Sequence, residues 1–139
     1  MNIDSTLIVL NEAESYFLNS RHYSHYVNFK MARAETTTML GHFDSSMKLS
    51  EELIAFEYST NFVKLWCYLR LAAQYLGVPD KDKSYFCINE SLRLAAREGD
   101  TLILGNIYNA YGGIEYFFGS RQKAIDYYIK AIPYLKKDK

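Results

Sequence analysis

The sequence has few residues of the kinds that interrupt regular structure, with two prolines and seven glycines among 139 residues. All-β proteins need many turns, and turns draw heavily on glycine and proline, so this scarcity argues against an all-β fold. Hydrophobic residues make up 49% of the chain and aromatic residues 16%, which is too rich for a disordered protein. The composition therefore predicts an all-α protein with long helices and short loops.

Net charge is also absent, because 16 basic residues balance 16 acidic ones. A neutral chain has no broad basic surface, so we expect no direct binding of nucleic acid. No apolar run approaches the roughly 18 residues that a membrane span needs. The first residues carry an acid where a secretory signal needs a basic region. We therefore expect a cytoplasmic protein with no membrane partner.

Catalytic and metal-binding motifs are missing as well. Cys67 and Cys87 form no Cys-x-x-Cys pair, so they are predicted to be buried, reduced thiols rather than metal ligands. His22 and His25 could share one helix face, but no third ligand accompanies them. They are the only basis for one alternative, a small helical metal-dependent enzyme. We expect no enzyme, no cofactor and no metal.

Apolar periodicity and stop signals predict about seven helices. The predicted spans are 5–18, 23–40, a third helix from after Asp44 or Ser45 to about Phe56, 61–76, a fifth helix that begins near residues 80–83 and ends at the segment "REGD", 101–118 and 120–137. Asp4 or Ser5 is the expected N-cap of the first helix, and Gly41 and Gly99 are expected stops. Loops of two to five residues make consecutive helices antiparallel. Pro133 should kink or end the last helix.

An offset of 40 residues aligns the fourth and fifth helices with the sixth and seventh. Large residues then meet large ones, and small residues meet small ones. The aligned pairs are Tyr68 with Tyr108, Leu71 with Tyr111, Ala72 with Gly112, Ser84 with Ala124, Ile88 with Tyr128, and Ser91 with Ala131. The match indicates two copies of a two-helix repeat.

Helix packing gives this pattern a physical meaning. Helix axes approach to about 8–10 Å only where the residues in contact allow it. A small residue on the first helix, Ala72 or Gly112, leaves a hole that Ile88 or Tyr128 of the second helix can fill. We therefore predict that Gly112, inside the unusual Gly112–Gly113 pair, accommodates Tyr128 rather than breaking the helix.

The spacing resembles the tetratricopeptide repeat (TPR), in which a large residue, a Leu-Gly pair and a Tyr precede an Ala and an aromatic residue. The resemblance implies one domain, 1–139, folded as a short right-handed solenoid of antiparallel helix pairs. Residues 101–137 match best and 60–98 fairly. Residues 1–58 are degenerate: Ala34 takes the small-residue role in 23–58, and the second helix there matches poorly. Glu115 and Pro133 depart from the pattern.

Within that family the chain looks most similar to the cytoplasmic peptide-sensing regulators of Gram-positive bacteria. In those regulators a TPR array binds a short signalling peptide and controls a DNA-binding or phosphatase-like output. No N-terminal helix-turn-helix is recognisable in this sequence. The resemblance therefore implies either a stand-alone adaptor or part of a larger receptor.

A helical solenoid presents a concave surface lined by the first helix of each pair. The predicted peptide-binding residues are Trp66, Leu69, Arg70, Asn106, Asn109, Gly113 and Tyr116. Asparagine amides can pair with an extended peptide backbone, Arg70 can hold a carboxylate, and Trp66 can anchor an apolar side chain. The competing interpretation places Trp66 in the core and leaves Arg70 and the asparagines merely solvated.

The last helix supports a second function, a scaffold for homo-oligomerisation. Its sequence carries an apolar stripe formed by Ala124, Ile125, Tyr128, Ile132 and Leu135. A stripe of this kind left uncovered favours association, with a homodimer as the expected product.

Overall fold

A computed structural model describes residues 3–136 of the chain. Its helices are α1 (Ile3–Asn19), α2 (Tyr23–Met39), α3 (Phe43–Ala55), α4 (Asn61–Gly77), α5 (Lys81–Glu98), α6 (Thr101–Phe118) and α7 (Arg121–Leu135). No strand occurs between residues 3 and 136. The all-α class, the seven helices and the loops of two to five residues are confirmed.

The chain divides into two compact units, Met1–Val63 and Lys64–Lys139. Unit 1 contains α1, α2 and α3, and unit 2 contains α5, α6, α7 and nearly all of α4. The predicted end of the last helix at Lys137 lies outside the described residues.

Four of the helix starts follow the capping rules, and at α4 the Thr60 hydroxyl accepts a hydrogen bond from the Val63 amide. Asp80 accepts a hydrogen bond from the Lys83 amide at the start of α5, and Ser120 accepts one from the Lys123 amide at the start of α7. Asp100 caps α6 through the amides of Leu102 and Ile103. Each cap satisfies backbone N–H groups that have no partner inside the helix.

The predicted starts of α1 and α3 were wrong. Asp4 and Ser5 lie inside α1, which begins at Ile3, so neither is its cap. Asp44 and Ser45 lie inside α3, which begins at Phe43. An acid within the first turn, such as Asp4 or Asp44, still favours the helix because it faces the positive end of the helix dipole. In sequence, an acid in the first turn looks the same as an N-cap residue, although here it does not cap the helix.

The predicted stops at glycine are confirmed. Gly99 follows α5 with φ 69°, and Gly41 follows Leu40, the C-cap of α2, with φ 79°. Both are left-handed conformations that glycine adopts without strain. Pro133 does not end α7 at its own position, because the helix continues to Leu135.

Two ion pairs join the antiparallel helices of unit 1. The Arg33 guanidinium of α2 donates from Nε and Nη2 to the two carboxylate oxygens of Glu14 in α1, with the Nη2–Oε1 distance 2.8 Å. Lys30 of α2 lies 2.7 Å from the Glu52 carboxylate of α3 and donates to the Tyr26 hydroxyl. Glu14 and Lys30 are buried, so these bonds compensate charges that burial would otherwise penalise.

The hydrogen bonds of Lys30 also change its acidity. Burial alone would lower the pKa of the Lys30 ammonium, but hydrogen bonds from it to Glu52 and Tyr26 outweigh that effect. The pKa of Lys30 is therefore raised above its ordinary value, and the side chain stays charged inside unit 1.

Unit 2 is a series of antiparallel helices joined by specific contacts. Residues near the end of one helix meet residues near the start of the next, as with Ala72 and Ser84 between α4 and α5. Tyr85 of α5 donates to Glu115 of α6, 2.9 Å away. Since the numbering runs in opposite directions across each interface, the prediction that consecutive helices are antiparallel holds for these pairs.

One interhelical contact occurs in both units. The Ser46 hydroxyl of α3 donates to the Ala34 carbonyl of α2 at 3.1 Å, and the Ser84 hydroxyl of α5 donates to the Ala72 carbonyl of α4 at 2.7 Å. Each serine follows its alanine by twelve residues, and all four residues are fully buried. Such a bond requires the helix backbones to lie close, which only small residues permit. Helices α2 and α3 thus share this one contact with α4 and α5, although the second helix matched poorly in sequence.

Cys67 and Cys87 are both buried and form no disulfide, as predicted. Burial raises the pKa of the Cys67 thiol to about 11, although the nearby Arg70 opposes the effect. The thiol is therefore protonated and unreactive near neutral pH. Within residues 3–136, no helix combines the length and apolar character needed to cross a membrane.

Candidate functional site

The predicted binding residues of α6 share one face of that helix. Asn106, Asn109, Gly113 and Tyr116 are spaced by three or four residues, which places them on a single stripe. Asn109 and Tyr116 are exposed, with Tyr116 showing 65% of its surface, and Asn106 and Gly113 are half-buried. Neither asparagine amide forms a hydrogen bond with another of the described residues. The α6 face, as we call these four residues, therefore offers free donors and acceptors beside an aromatic ring.

The neighbouring side of α6 is packed against α7, as the glycines show. A Cβ atom built at Gly112 would lie within 2.9 Å of three ring carbons of Tyr128. One built at Gly105 would lie 2.9 Å from the Tyr134 Cβ. The prediction that Gly112 accommodates Tyr128 is confirmed. Beside this contact, Asn109 and Tyr116 of the α6 face stay exposed.

Gly113 differs from Gly112 in having free space. A Cβ at Gly113 would meet only the Tyr128 hydroxyl, 3.9 Å away, which is an ordinary contact. Packing within the described residues therefore does not require glycine at this position. Glycine instead leaves the centre of the α6 face flat, so that a backbone could approach it closely.

The predicted binding residues of α4 are less accessible. Trp66, Leu69 and Arg70 share one face of α4, and each is half-buried. Trp66 and Arg70 also interact with other parts of the chain. Their availability to a ligand stays a prediction, as does a groove between the α4 and α6 residues.

Glu115, which departs from the repeat pattern, has a structural partner. It is 8% exposed and accepts a hydrogen bond from Tyr85, and its carboxylate occupies the space where a Cβ would lie at Gly119. Burial and this hydrogen bond raise the pKa of Tyr85 to about 12. Glu115 thus joins α6 to α5, and Gly119 leaves room for its carboxylate.

Stacked tyrosines line the same interfaces. The rings of Tyr111 and Tyr127 are 4.8 Å apart at an interplanar angle of 11°, and the Tyr111 hydroxyl donates to the Asn89 amide oxygen. Lys130 lies 4.6 Å above the ring of Tyr108, in a cation–π contact. Burial, with neighbouring Tyr127 and Tyr108, raises the pKa of Tyr111 to about 12.

Unit 1 contains a cleft that the sequence did not predict. It encloses about 500 Å³, and its walls come from α1, α2, α3 and the turn before α3. The lining residues are Leu7, Ile8, Asn11, Arg33, Thr37, His42, Ser45, Lys48, Leu49 and Glu52. No local motif could have indicated this cleft, because its residues come from three helices that are separate in sequence.

The charges lining the cleft are mostly used within the protein. Arg33 is bound to Glu14 in bidentate fashion, and Glu52 is paired with Lys30. A ligand would have to compete with these bonds for either side chain. Lys48 remains as a cation without a partner among the described residues, beside the apolar Leu7 and Leu49. The cleft is therefore a weak candidate for specific recognition.

The histidine pair lies at the junction of α1 and α2. The rings of His22 and His25 are 6.3 Å apart, and both pack against Phe17, with His25 at 4.9 Å. His22 Nδ1 also shares a hydrogen bond with the Ser20 hydroxyl. Among residues 3–136, no group of three or more His, Cys, Asp or Glu side chains could hold a metal ion.

Comparison of the chain with models of protein families, with curated proteins and with solved structures finds no match. The residues and their geometry are therefore the basis of any functional assignment.

Proposed function

We propose that this protein is a non-enzymatic module that binds an extended peptide or a segment of another protein. In this proposal its helix pairs stack as a short TPR-like right-handed solenoid in the cytoplasm. The observation that carries it is the α6 face, where two unbonded asparagine amides lie one turn apart beside an exposed tyrosine.

The chemistry of this face suits a peptide backbone. Each asparagine amide can donate to a peptide carbonyl and accept from a peptide N–H at the same time. The two amides are about 4.5 Å apart along the helix axis, three residues at about 1.5 Å each. Gly113 has no side chain to hold the backbone away, and Tyr116 offers a rigid surface for an apolar side chain.

The recurring alanine–serine contact supports the repeat architecture. Ala34 with Ser46 and Ala72 with Ser84 obey the same twelve-residue spacing, and Gly112 with Ala124 continues it. Ala124 is 2% exposed, as expected for the small residue of a second helix. Three helix pairs with one packing rule are what a solenoid of repeats would use. We propose further that the module is the sensing part of a bacterial signalling or transcription regulator.

A selected peptide ligand tests this proposal without knowledge of the natural partner. Peptides would be selected from a displayed random library against the intact chain, and their affinities measured by fluorescence polarisation. We expect Asn109→Ala and Tyr116→Ala each to weaken binding by about tenfold, the equivalent of about 1.4 kcal/mol. Trp66→Ala should weaken it as well if α4 contributes to the groove.

Arg93→Ala is the matched control, because Arg93 is exposed on α5 and its hydrogen bond within residues 3–136 is with Glu90 on the same helix. It should leave peptide affinity unchanged. Thermal melts followed by circular dichroism would check that each variant is folded. Peptides that bind all variants equally, or a selection that yields no binder, would count against the proposal.

A further inference from the structure

Helix α7 exposes a continuous apolar stripe. Ile125, Tyr128, Ile129 and Ile132 follow the spacing of one helix face, and their exposed fractions run from 39% to 59%. The helix is about 22 Å long, from 15 residues at about 1.5 Å each. Ala124, which the sequence placed in this stripe, points inward and is buried. We call the four exposed residues the α7 face.

The repeat register shows what kind of surface this is. Tyr85 and Asn89 of α5 contact α6 through hydrogen bonds with Glu115 and Tyr111, and Tyr85 is half-buried there. The 40-residue offset places Ile125 and Ile129 of α7 at the positions of Tyr85 and Asn89. Positions that contact the next helix on α5 are thus exposed isoleucines on α7. The α7 face is therefore suited to packing against another helix.

Helix α1 carries an exposed face with the same apolar character. Ile8, Val9 and Tyr16 are 60%, 50% and 65% exposed, and Glu12 lies among them on the same side. Tyr16 follows Val9 by seven residues, so the two lie two turns apart on one stripe. We call these four residues the α1 face.

The charges that share a stripe with each face are opposite in sign. Helix α1 contains no basic residue, and the exposed Asp4 and Glu12 lie four residues before and after Ile8, on the stripe of the α1 face. On α7, Arg121 lies four residues before Ile125, on the stripe of the α7 face. Lys130 lies on the other side of α7, where it contacts the Tyr108 ring. Docking onto α1 therefore brings acids to Arg121, which favours encounter and fixes the orientation.

From these faces we propose that the α7 face of one molecule docks onto the α1 face of a second copy of the same chain. The contact joins two different surfaces, so each copy keeps one face free after docking. Association of this kind continues into an open chain of molecules unless the rotation between copies closes a ring.

Self-association of the 139-residue chain is the first measurement. Light scattering and sedimentation velocity should show a mean mass that grows with protein concentration past that of a dimer. Added salt should lower the mass at a fixed concentration, because it screens the attraction between α1 and α7. A protein that remains monomeric at every concentration would overturn the proposal.

Two surface variants separate the faces. Ile129→Glu places an acid in the α7 face, and Val9→Lys places a base in the α1 face. Each variant alone should lose association by at least about tenfold, since a charge would be buried at the contact. Met39→Glu, at an exposed apolar position of α2 outside both faces, should associate like the original chain.

Mixing the two variants gives the sharpest result. The Val9→Lys chain keeps an intact α7 face and the Ile129→Glu chain keeps an intact α1 face, so an equal mixture should form dimers and stop there. The contrary result is that the Val9→Lys chain still dimerises alone and that adding the Ile129→Glu chain forms no further dimers. Two α7 faces would then pair with each other, and the proposal would be wrong. Circular dichroism of each variant would confirm that loss of association is not loss of folding.

Discussion

Arg21 adopts a backbone conformation that its side chain does not favour. It lies after α1 with φ 60°, and it is the only described residue other than glycine with a positive φ. The hydrogen bond from His22 N to Phe17 O closes this turn, just as His42 N to Thr37 O closes the turn at Gly41. Two turns of the same design therefore use different residues at the left-handed position.

This difference predicts that Arg21→Gly stabilises the protein. The left-handed conformation costs a non-glycine residue roughly 1–2 kcal/mol. Glycine avoids this cost, but it loses more conformational entropy on folding, which offsets part of the gain. We expect the free energy of unfolding in urea to rise by about 1 kcal/mol. Arg21→Ala is the control for loss of the charge and should bring no gain. An equal gain from both variants would show that charge, not backbone conformation, governs the effect.

Two tyrosines with raised pKa values, Tyr85 and Tyr111, give a second prediction, which concerns stability at alkaline pH. The pKa values of Tyr85 and Tyr111 are raised to about 12 in the folded protein. An unfolded tyrosine ionises near pH 10, so the folded state holds these protons more tightly. Their contribution to stability is complete below pH 10 and is lost as the pH rises from 10 towards 12.

Urea unfolding at a series of pH values would measure this loss. The double variant Tyr85→Phe with Tyr111→Phe should show a smaller decline in unfolding free energy between pH 10 and 12 than the original chain. Tyr116→Phe removes the hydroxyl of an exposed ring and should leave the decline unchanged. If the double variant declines as steeply as the original chain, the buried hydroxyls are not its cause.

At the scale of a helix, the glycine pair of α6 has two distinct functions. Gly112 faces Tyr128 of α7, and Gly113 lies on the uncovered α6 face. The sequence predicted the first function correctly, because the 40-residue alignment placed Gly112 opposite Ala72. It left the second open, since no packing position in the repeat pattern calls for glycine there.

The pair makes a matched test of helix packing. Gly112→Ala should destabilise the protein by about 1–3 kcal/mol, because its Cβ would overlap the Tyr128 ring. Gly113→Ala should stabilise it by up to about 1 kcal/mol, because alanine favours the helix and its Cβ meets no close neighbour. Urea unfolding of both variants measures the two signs, and equal effects would contradict the assigned packing.

In the helix pair α2–α3, the sequence pattern did not reveal which residues form the close contact between the helices. In sequence, Ser46 and Ser50 look polar, so they obscured the small-residue positions of the repeat. In the structure both are fully buried, and Ser46 bonds to the Ala34 carbonyl. Serine can replace alanine in a close helix contact only when its hydroxyl finds a partner, and that partner lies on another helix.

At the scale of the whole molecule, the side chains proposed to contact partners lie on exposed faces of three helices. The α6 face carries amides that have no partner among residues 3–136, and the apolar α1 and α7 faces have charges of opposite sign on their stripes. Peptide binding and self-association use different faces, so the proposed functions can be separated. The Ile129→Glu variant should lose self-association and still bind a peptide selected against the α6 face. Fluorescence polarisation of that peptide tests the separation, and loss of both properties together would refute it.

The sequence alone determined the helices, because apolar period, glycine stops and short loops act over a few residues. It also determined the Gly112–Tyr128 contact, since the repeat supplies a second copy for comparison. Only the tertiary structure decided the Glu14–Arg33 pair, the buried serines, the cleft of unit 1 and which apolar residues of α7 stay exposed. Each of these features depends on contacts with a helix that is distant in sequence. The same side chain is buried when such a helix packs against it and solvated when none does.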